Sequence, residues 1–249
     1  MEFFDLHVHS TFSDGENEPG EIVPEAIAKG VKMLGFSDHS YTEFDESYCM
    51  PKGKQTEYRK TVNALKDAFS GRIKIYCGIE QDFYSTVPTD DYDYVIGSVH
   101  YILKDGVYIP IDETAEILKQ AVKEHFAGDM MGLCDAYFEN AGRVHEKTKC
   151  DIVGHFDLIT KFNEQEKLFD EADPRYINAY KKAVDRVIKG CKVFEINTGA
   201  VSRGYRTTPY PSESIRDYIR QKGGRFILSS DSHQKKTLCF AFDKFRSLI

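Results

Sequence analysis

No apolar run in this 249-residue sequence approaches the ~20 residues that a membrane-spanning helix needs. No basic region opens the chain either. Glu2 and Asp5 stand where a secretory leader would carry positive charge, and His7 interrupts the only apolar stretch nearby. Long basic runs are missing and the formal net charge is −7, which disfavours a chain that coats nucleic acid. There is no C-x-x-C pair. The six cysteines (Cys49, Cys77, Cys134, Cys150, Cys191 and Cys239) are scattered and read as reduced thiols, not as a disulfide frame or a thiolate metal site. These absences predict a cytoplasmic protein with no nucleic-acid or membrane partner. No fixed repeat, low-complexity tract or linker divides the chain. Residues 1–249 therefore read as one domain, of the size usual for an α/β barrel. The apolar content of 41% suffices for a sizeable core.

What is present is alternation. Strand-type runs fall at Phe3–His9, Met33–Ser37, Ile73–Ile79, Tyr94–Val99, Ile152–His155, Val193–Asn197 and Phe226–Ser229. Between them lie helix-type spacings. Ile22, Ala26, Ile27 and Val31 precede the second run, and Tyr58, Val62, Leu65 and Phe69 precede the third. Thr114–Phe126 and Leu133–His145 predict two helices before the fifth. Asp173-Pro174 opens another, with Ile177, Tyr180, Val184, Val187 and Ile188 as its apolar stripe. Glu213–Gln221 and Lys236–Leu248 predict the last two. Seven strands alternating with helices imply parallel βα units, closed as a barrel or laid out as an open doubly wound sheet.

The chemistry-bearing residues fall at the strand ends. His7 and His9 are two apart, so on a strand both imidazoles face one side. Asp14 follows in a polar turn. Asp38-His39, Glu80, His100, His155 and Asp231-x-His233 end five further strands. Six of the eight histidines lie at strand ends; His125 and His145 lie in helical stretches and read as solvated. In a barrel all strand ends share one mouth, where active sites sit. Nine N/O ligands (His7, His9, Asp14, His39, Glu80, His100, His155, Asp231 and His233) would then meet there. One zinc takes three or four protein ligands, so nine imply more than one ion, and three ions follow naturally if one carboxylate bridges.

These motifs, in this order from residue 5 to residue 233, resemble the PHP (polymerase and histidinol phosphatase) superfamily. Tyr92–His100, Gly154–Ile159 and Glu195–Gly199 followed by Tyr210-Pro211 are similar to its monofunctional histidinol-phosphatase branch. The resemblance implies a distorted (β/α)7 TIM-like barrel with its metal site at the C-terminal mouth of the strands. It implies three divalent ions (Zn, Mn or Fe). His7, His9, Glu80 and Asp231 would hold the first, Glu80, His100 and His155 the second, and Asp14, His39 and His233 the third. Some members carry His where this chain has Asp14, a harder ligand.

Clustered divalent ions lower the pKa of bound water and offset phosphate charge. The expected reaction is direct attack of water on phosphorus with no phosphoenzyme, since no nucleophile motif stands out. Asp231 or His233 is the candidate to protonate the leaving alkoxide. Arg203 and Arg206, after the sixth strand, and Lys161, after the fifth, are the candidate substrate contacts. The long loop 40–55, rich in aromatics and acids, reads as a lid or a surface excursion. The expected substrate is a small-molecule phosphate ester, L-histidinol phosphate of histidine biosynthesis. The alternatives are another ester (nucleotide, sugar phosphate or phosphotyrosine) or a non-catalytic metal-binding module.

Overall fold

The computed structural model describes residues 3–249; Glu2, used above against a leader, lies outside them. Seven strands form one parallel sheet: β1 (Phe3–Asp5), β2 (Val31–Phe36), β3 (Lys74–Asp82), β4 (Tyr94–Ser98), β7 (Ile152–Val153), β8 (Val193–Asn197) and β9 (Arg225–Ser229), in that order. The sheet curls until its ends meet. Beyond β1 and β9, Val8 bridges Ser232, with His9 N donating to Ser232 O at 2.9 Å and Ser232 N to His7 O at 3.1 Å. The result is a nearly closed barrel. β1 is shorter than the Phe3–His9 expectation, yet Leu6–His9 stays extended and held: Ser37 N donates to Val8 O at 2.9 Å.

The barrel interior is narrow, and Tyr94 fills it. Its hydroxyl donates to Leu6 O at 2.5 Å and Phe36 O at 3.1 Å. Gly35 and Gly78 face its ring, where any Cβ would collide. Ile96 and Ile152 pack beside it. This apolar plug is the floor on which the polar mouth rests.

Helices sheathe the outside: α1 (Pro19–Ala28), α2 (Gln55–Ala68), α3 (Ala115–His125), α4 (Met130–Thr148), the short α5 (Asn163–Glu166), α6 (Pro174–Val187), the short α7 (Gly199–Ser202), α8 (Glu213–Gln221) and the short α9 (Phe242–Phe245). Thr114 caps α3 through its hydroxyl, which accepts from Ile117 N at 3.2 Å. Asp173 does the same for α6 at Arg175 N, 2.7 Å, ahead of Pro174. α6 buries Tyr176, Tyr180, Ala183, Val184 and Val187, so the core face sits slightly to one side of the expected stripe, and Ile177 is only half-buried. No helix among the described residues is long and apolar enough to cross a membrane.

The structure departs from expectation in three places. Lys236–Leu248 is not one helix: Cys239 and Ala241 take φ of 54° and 55°, leaving α9 between two 3-10 turns. Cys239 N is tied to the Asp5 carboxylate at 2.9 Å, and Lys29 Nζ holds Leu238 O, so tertiary anchors override local helix propensity. His145 is only partly solvated. Its Nδ1 lies 3.0 Å from Cys150 O, and its ring lies so close to Gly190 that a Cβ there would collide with it. Finally, an antiparallel hairpin, β5 (Tyr101–Lys104) and β6 (Val107–Pro110), stands over the mouth after β4. Its Asp105-Gly106 turn has both φ positive, at 52° and 79°.

Candidate metal centre

The barrel brings all nine expected residues to one mouth. Glu80, at the end of β3, stands at its centre and is 1% exposed. Its two oxygens face different partners. Oε1 lies 3.0 Å from His155 Nε2 and 3.5 Å from His100 Nε2, and takes the Ser98 hydroxyl at 2.5 Å. Oε2 lies 2.8 Å from His39 Nδ1, 3.2 Å from His7 Nε2 and 3.6 Å from His9 Nε2. Asp231 Oδ1 closes on His9 Nε2 at 3.2 Å and His7 Nε2 at 3.7 Å. A second group forms around Asp14, whose Oδ2 is 3.2 Å from His233 Nε2 and whose Oδ1 is 3.7 Å from His39 Nε2 and 3.8 Å from His9 Nδ1. Three sets converge closely enough to hold an ion: His7–His9–Glu80, His39–Glu80–His100, and His9–Asp14–His39–His233. The first and third overlap the sets implied by the resemblance. In the second, His39 on Oε2 of Glu80 stands where His155 was expected, while His155 shares Oε1 with His100.

The donor set fits metal ions. His7 Nε2, both ring nitrogens of His9 and Glu80 Oε2 are buried without a hydrogen bond, the two Nε2 atoms toward Glu80 and His9 Nδ1 toward Asp14. The electrostatics call for positive charge among them. Burial alone would raise the Glu80 carboxyl, but His7, His39 and His100 outweigh it and hold it well below the usual range. Burial likewise opposes the charge on Asp231, which Arg203 and His7 nevertheless hold low. Against burial, Glu195, Glu80 and Asp231 hold His7 well above its ordinary value. His9 goes the other way, lowered to about 3 by burial and by its neighbours His233, stacked at 4.1 Å, and His39, at 4.4 Å.

Outside the nine, carboxylates fix the imidazoles. Glu195, buried in the middle of β8, places Oε1 2.7 Å from His7 Nδ1, while Oε2 accepts from His155 N at 3.1 Å and Asn197 Nδ2 at 3.0 Å. This selects the tautomer of His7 that leaves Nε2 free to face the centre. Asp82 Oδ2 does the same for His100 Nδ1 at 3.2 Å. Asp38 accepts from the backbone and hydroxyls of Ser10 and Ser13, and so shapes the turn that presents Asp14. From the sequence, β8 offers no obvious metal ligand, and Glu195 counts only as part of the branch-like Glu195–Gly199 segment. The signal was a lone acid inside an apolar strand, which must find a partner when buried. Glu195→Gln is expected to weaken metal affinity about 10- to 100-fold with the fold intact, as read by competitive chelator titration.

The three candidate substrate cations separate. Arg203, just after α7, lines the cavity over the centre, donating from Nη1 to Asp231 O at 3.0 Å and from Nη2 to Asp231 Oδ2 at 3.1 Å. It clamps a residue whose φ of 50° is costly for a non-glycine. Gly199 leaves room for the clamp: a Cβ there would lie 2.7 Å from Asp231 Oδ2 and 2.8 Å from Arg203 Nη2. Lys161 also lines the cavity, with Nζ 2.5 Å from Asp112 O. Arg206 does not line it. It is buried, bonded to Thr160 and Thr208 and stacked 4.8 Å over Tyr210, which makes it a strut beneath the mouth. The loop 40–55 contributes Asp45, Ser47 and Tyr48 to the wall of the cavity, about 470 Å³ in volume, a size suited to a small ligand.

The PHP domain matches residues 5–199 of this chain. A histidinol-phosphatase of Lactococcus lactis is 28% identical over 100% of this chain and 91% of its own length. One of Bacillus subtilis is 22% identical over 98% of both. The crystal structure of the Lactococcus lactis histidinol phosphate phosphatase, complexed with zinc, L-histidinol and phosphate, superposes with a TM-score of 0.75 at 24% identity. It covers 99% of this chain and 92% of that one.

Proposed function

The chain belongs to the PHP domain family, and on that premise we propose that it is a metal-dependent phosphomonoesterase hydrolysing L-histidinol phosphate to L-histidinol and phosphate. The observation that carries the reading is the placement of Glu80, whose two oxygens face two separate groups of imidazoles at one end of the barrel. His7, His9, Glu80 and Asp231, then Glu80, His100 and His155, then Asp14, His39 and His233 are the proposed ligand sets, with zinc, manganese or iron as the ions. The interposed position of His39 lets it serve the second set as well as the third.

Divalent ions bound there would supply Lewis-acid charge to phosphoryl oxygens and lower the pKa of the water they hold. The chain's own groups do the rest. Glu195, Asp82 and Asp38 hold the ligand side chains at fixed angles, so little reorganisation is needed during reaction. Arg203 offers a planar fork for the phosphate oxygens at the open side of the cavity. Asp231 or His233, beside Arg203, would take the proton released by the attacking water and pass it to the leaving oxygen.

Phosphate release from a panel of esters tests the reading. Histidinol phosphate should exceed nucleotides, sugar phosphates and phosphotyrosine by orders of magnitude in kcat/KM. A flat profile, or preference for another ester, overturns the assignment. Elemental analysis of chain purified without chelator should find about two to three ions per molecule, from nine ligands at three or four per ion. A value at or below one after reconstitution rules out a trinuclear centre.

A further inference from the structure

We propose that Asp112 recognises a positive group on the alcohol side of the ester, so that the cavity selects 2-ammonioalkyl phosphates over phosphate monoesters that carry no cation. The inference rests on the phosphomonoesterase reading above and names the feature of the substrate that the ligand set leaves undetermined.

Cations and acids both line the wall of the cavity. Arg203 stands on the side of β8 and β9, clamped to Asp231. Another part of the wall is built by the segment that follows β6. There Ile111 N donates to His100 O at 2.8 Å, which fixes Asp112 next to the end of β4 and its histidine. Two other acids share this rim, and neither is free in the same way. Asp45 spends Oδ1 on Ser47 and Oδ2 on the Tyr101 hydroxyl at 2.6 Å. Glu113 is exposed to solvent.

Asp112 is different. Lys161 Nζ sits 2.5 Å from its carbonyl oxygen but 3.4 Å from Oδ2, and Oδ1 has no hydrogen-bond partner among the described residues. The lysine is further occupied by the Tyr205 ring, 4.8 Å away. Lys161 thus anchors the backbone of Asp112 and leaves a carboxylate oxygen on the cavity wall. An amine on the carbon next to the esterified one lies only three bonds from the ester oxygen. A group that binds it must therefore stand at the edge of the phosphate site, as Asp112 does beside His100. A charge-assisted bond from ammonium to carboxylate satisfies that oxygen, whereas the hydroxyls of sugar phosphates bring no charge to it.

The test compares metal-loaded wild type, Asp112→Asn and Asp112→Glu on 2-aminoethyl phosphate and ethyl phosphate, with histidinol phosphate alongside. L-histidinol binding is measured by calorimetry, and metal content by elemental analysis. The wild type should prefer the amine over ethyl phosphate by about 10- to 100-fold in kcat/KM, mostly through KM. Asp112→Asn should reduce that preference to near unity and weaken L-histidinol binding at least about tenfold with metal content unchanged, and Asp112→Glu should keep part of both. A wild type without the preference, an Asp112→Asn variant that retains preference and binding, or one that loses metal overturns the proposal. Failure on histidinol phosphate with the amine preference intact would refute the histidinol-phosphatase reading and leave Asp112 assigned. Efficient hydrolysis of histidinol phosphate with no amine preference does the reverse.

Discussion

Glu80→Gln should strip the centre of metal and lower kcat/KM by at least about 10³-fold, while the circular dichroism spectrum stays that of a folded barrel. The expectation follows from where the two carboxylate oxygens point. Oε1 faces His100 and His155, and Oε2 faces His7, His9 and His39. An amide keeps one acceptor and replaces the other with an N–H2 group, which cannot ligate and which adds positive dipole toward a cation. One of the two groups of imidazoles therefore loses its shared anion whichever way the amide turns. Glu80 lies at the mouth, above the Tyr94 plug, so the apolar floor is untouched. Activity and metal content must be measured on the same preparation. A Glu80→Gln chain that keeps both has no bridging carboxylate at this position.

Arg203→Ala should leave metal content near the wild-type level and cost roughly 2–4 kcal/mol of transition-state stabilisation, about 30- to 1,000-fold in kcat/KM for histidinol phosphate. The guanidinium lies against Asp231 and His233 at the cavity edge, with its side chain 34% exposed, so it is reachable by a phosphate that enters from solvent. Arg203→Lys should recover only part of the loss, because one ammonium cannot hold Asp231 and meet two phosphate oxygens together. Arg186 on α6 is the control. It pairs with Glu139 and Glu146 on the outer surface, away from the mouth, and Arg186→Ala should change kcat/KM little. If the two alanine variants behave alike in steady-state kinetics, Arg203 does not touch the substrate.

The sequence disclosed most of the architecture because ligands and strand ends coincide. His-x-His before Asp14, or Asp-x-His after an apolar run, marks both a residue type and a place in a parallel barrel. Val193–Asn197 and Glu213–Gln221 are observed with the bounds that hydrophobic pattern alone suggested. What escaped depends on partners distant in sequence. Glu195 acquires its meaning from His7, nearly the whole chain away. Arg203 and Arg206 look equivalent in a loop, yet one short helical turn sends the first to the cavity and buries the second against Thr160. The β5–β6 hairpin carried a readable Asp-Gly turn, but its flanking residues do not alternate cleanly, since Leu103, Val107 and Tyr108 are exposed apolar side chains. The break at Cys239–Ala241 is set by Asp5 and Lys29, which no local window contains.

The parallel bridge between Val8 and Ser232 has a consequence for the order of events in biosynthesis. His7, His9, Asp14 and His39 leave the ribosome early, whereas Asp231 and His233 follow after nearly every other element has been made. The candidate centre would therefore clasp an earlier segment to a much later one. Ions captured by the early half alone would have fewer ligands and would exchange more freely. The full set would assemble only when β9 docks beside β1, so ring closure and tight metal capture would be a single late event, with bound ions closing a loop of more than 200 residues between His7 and Asp231.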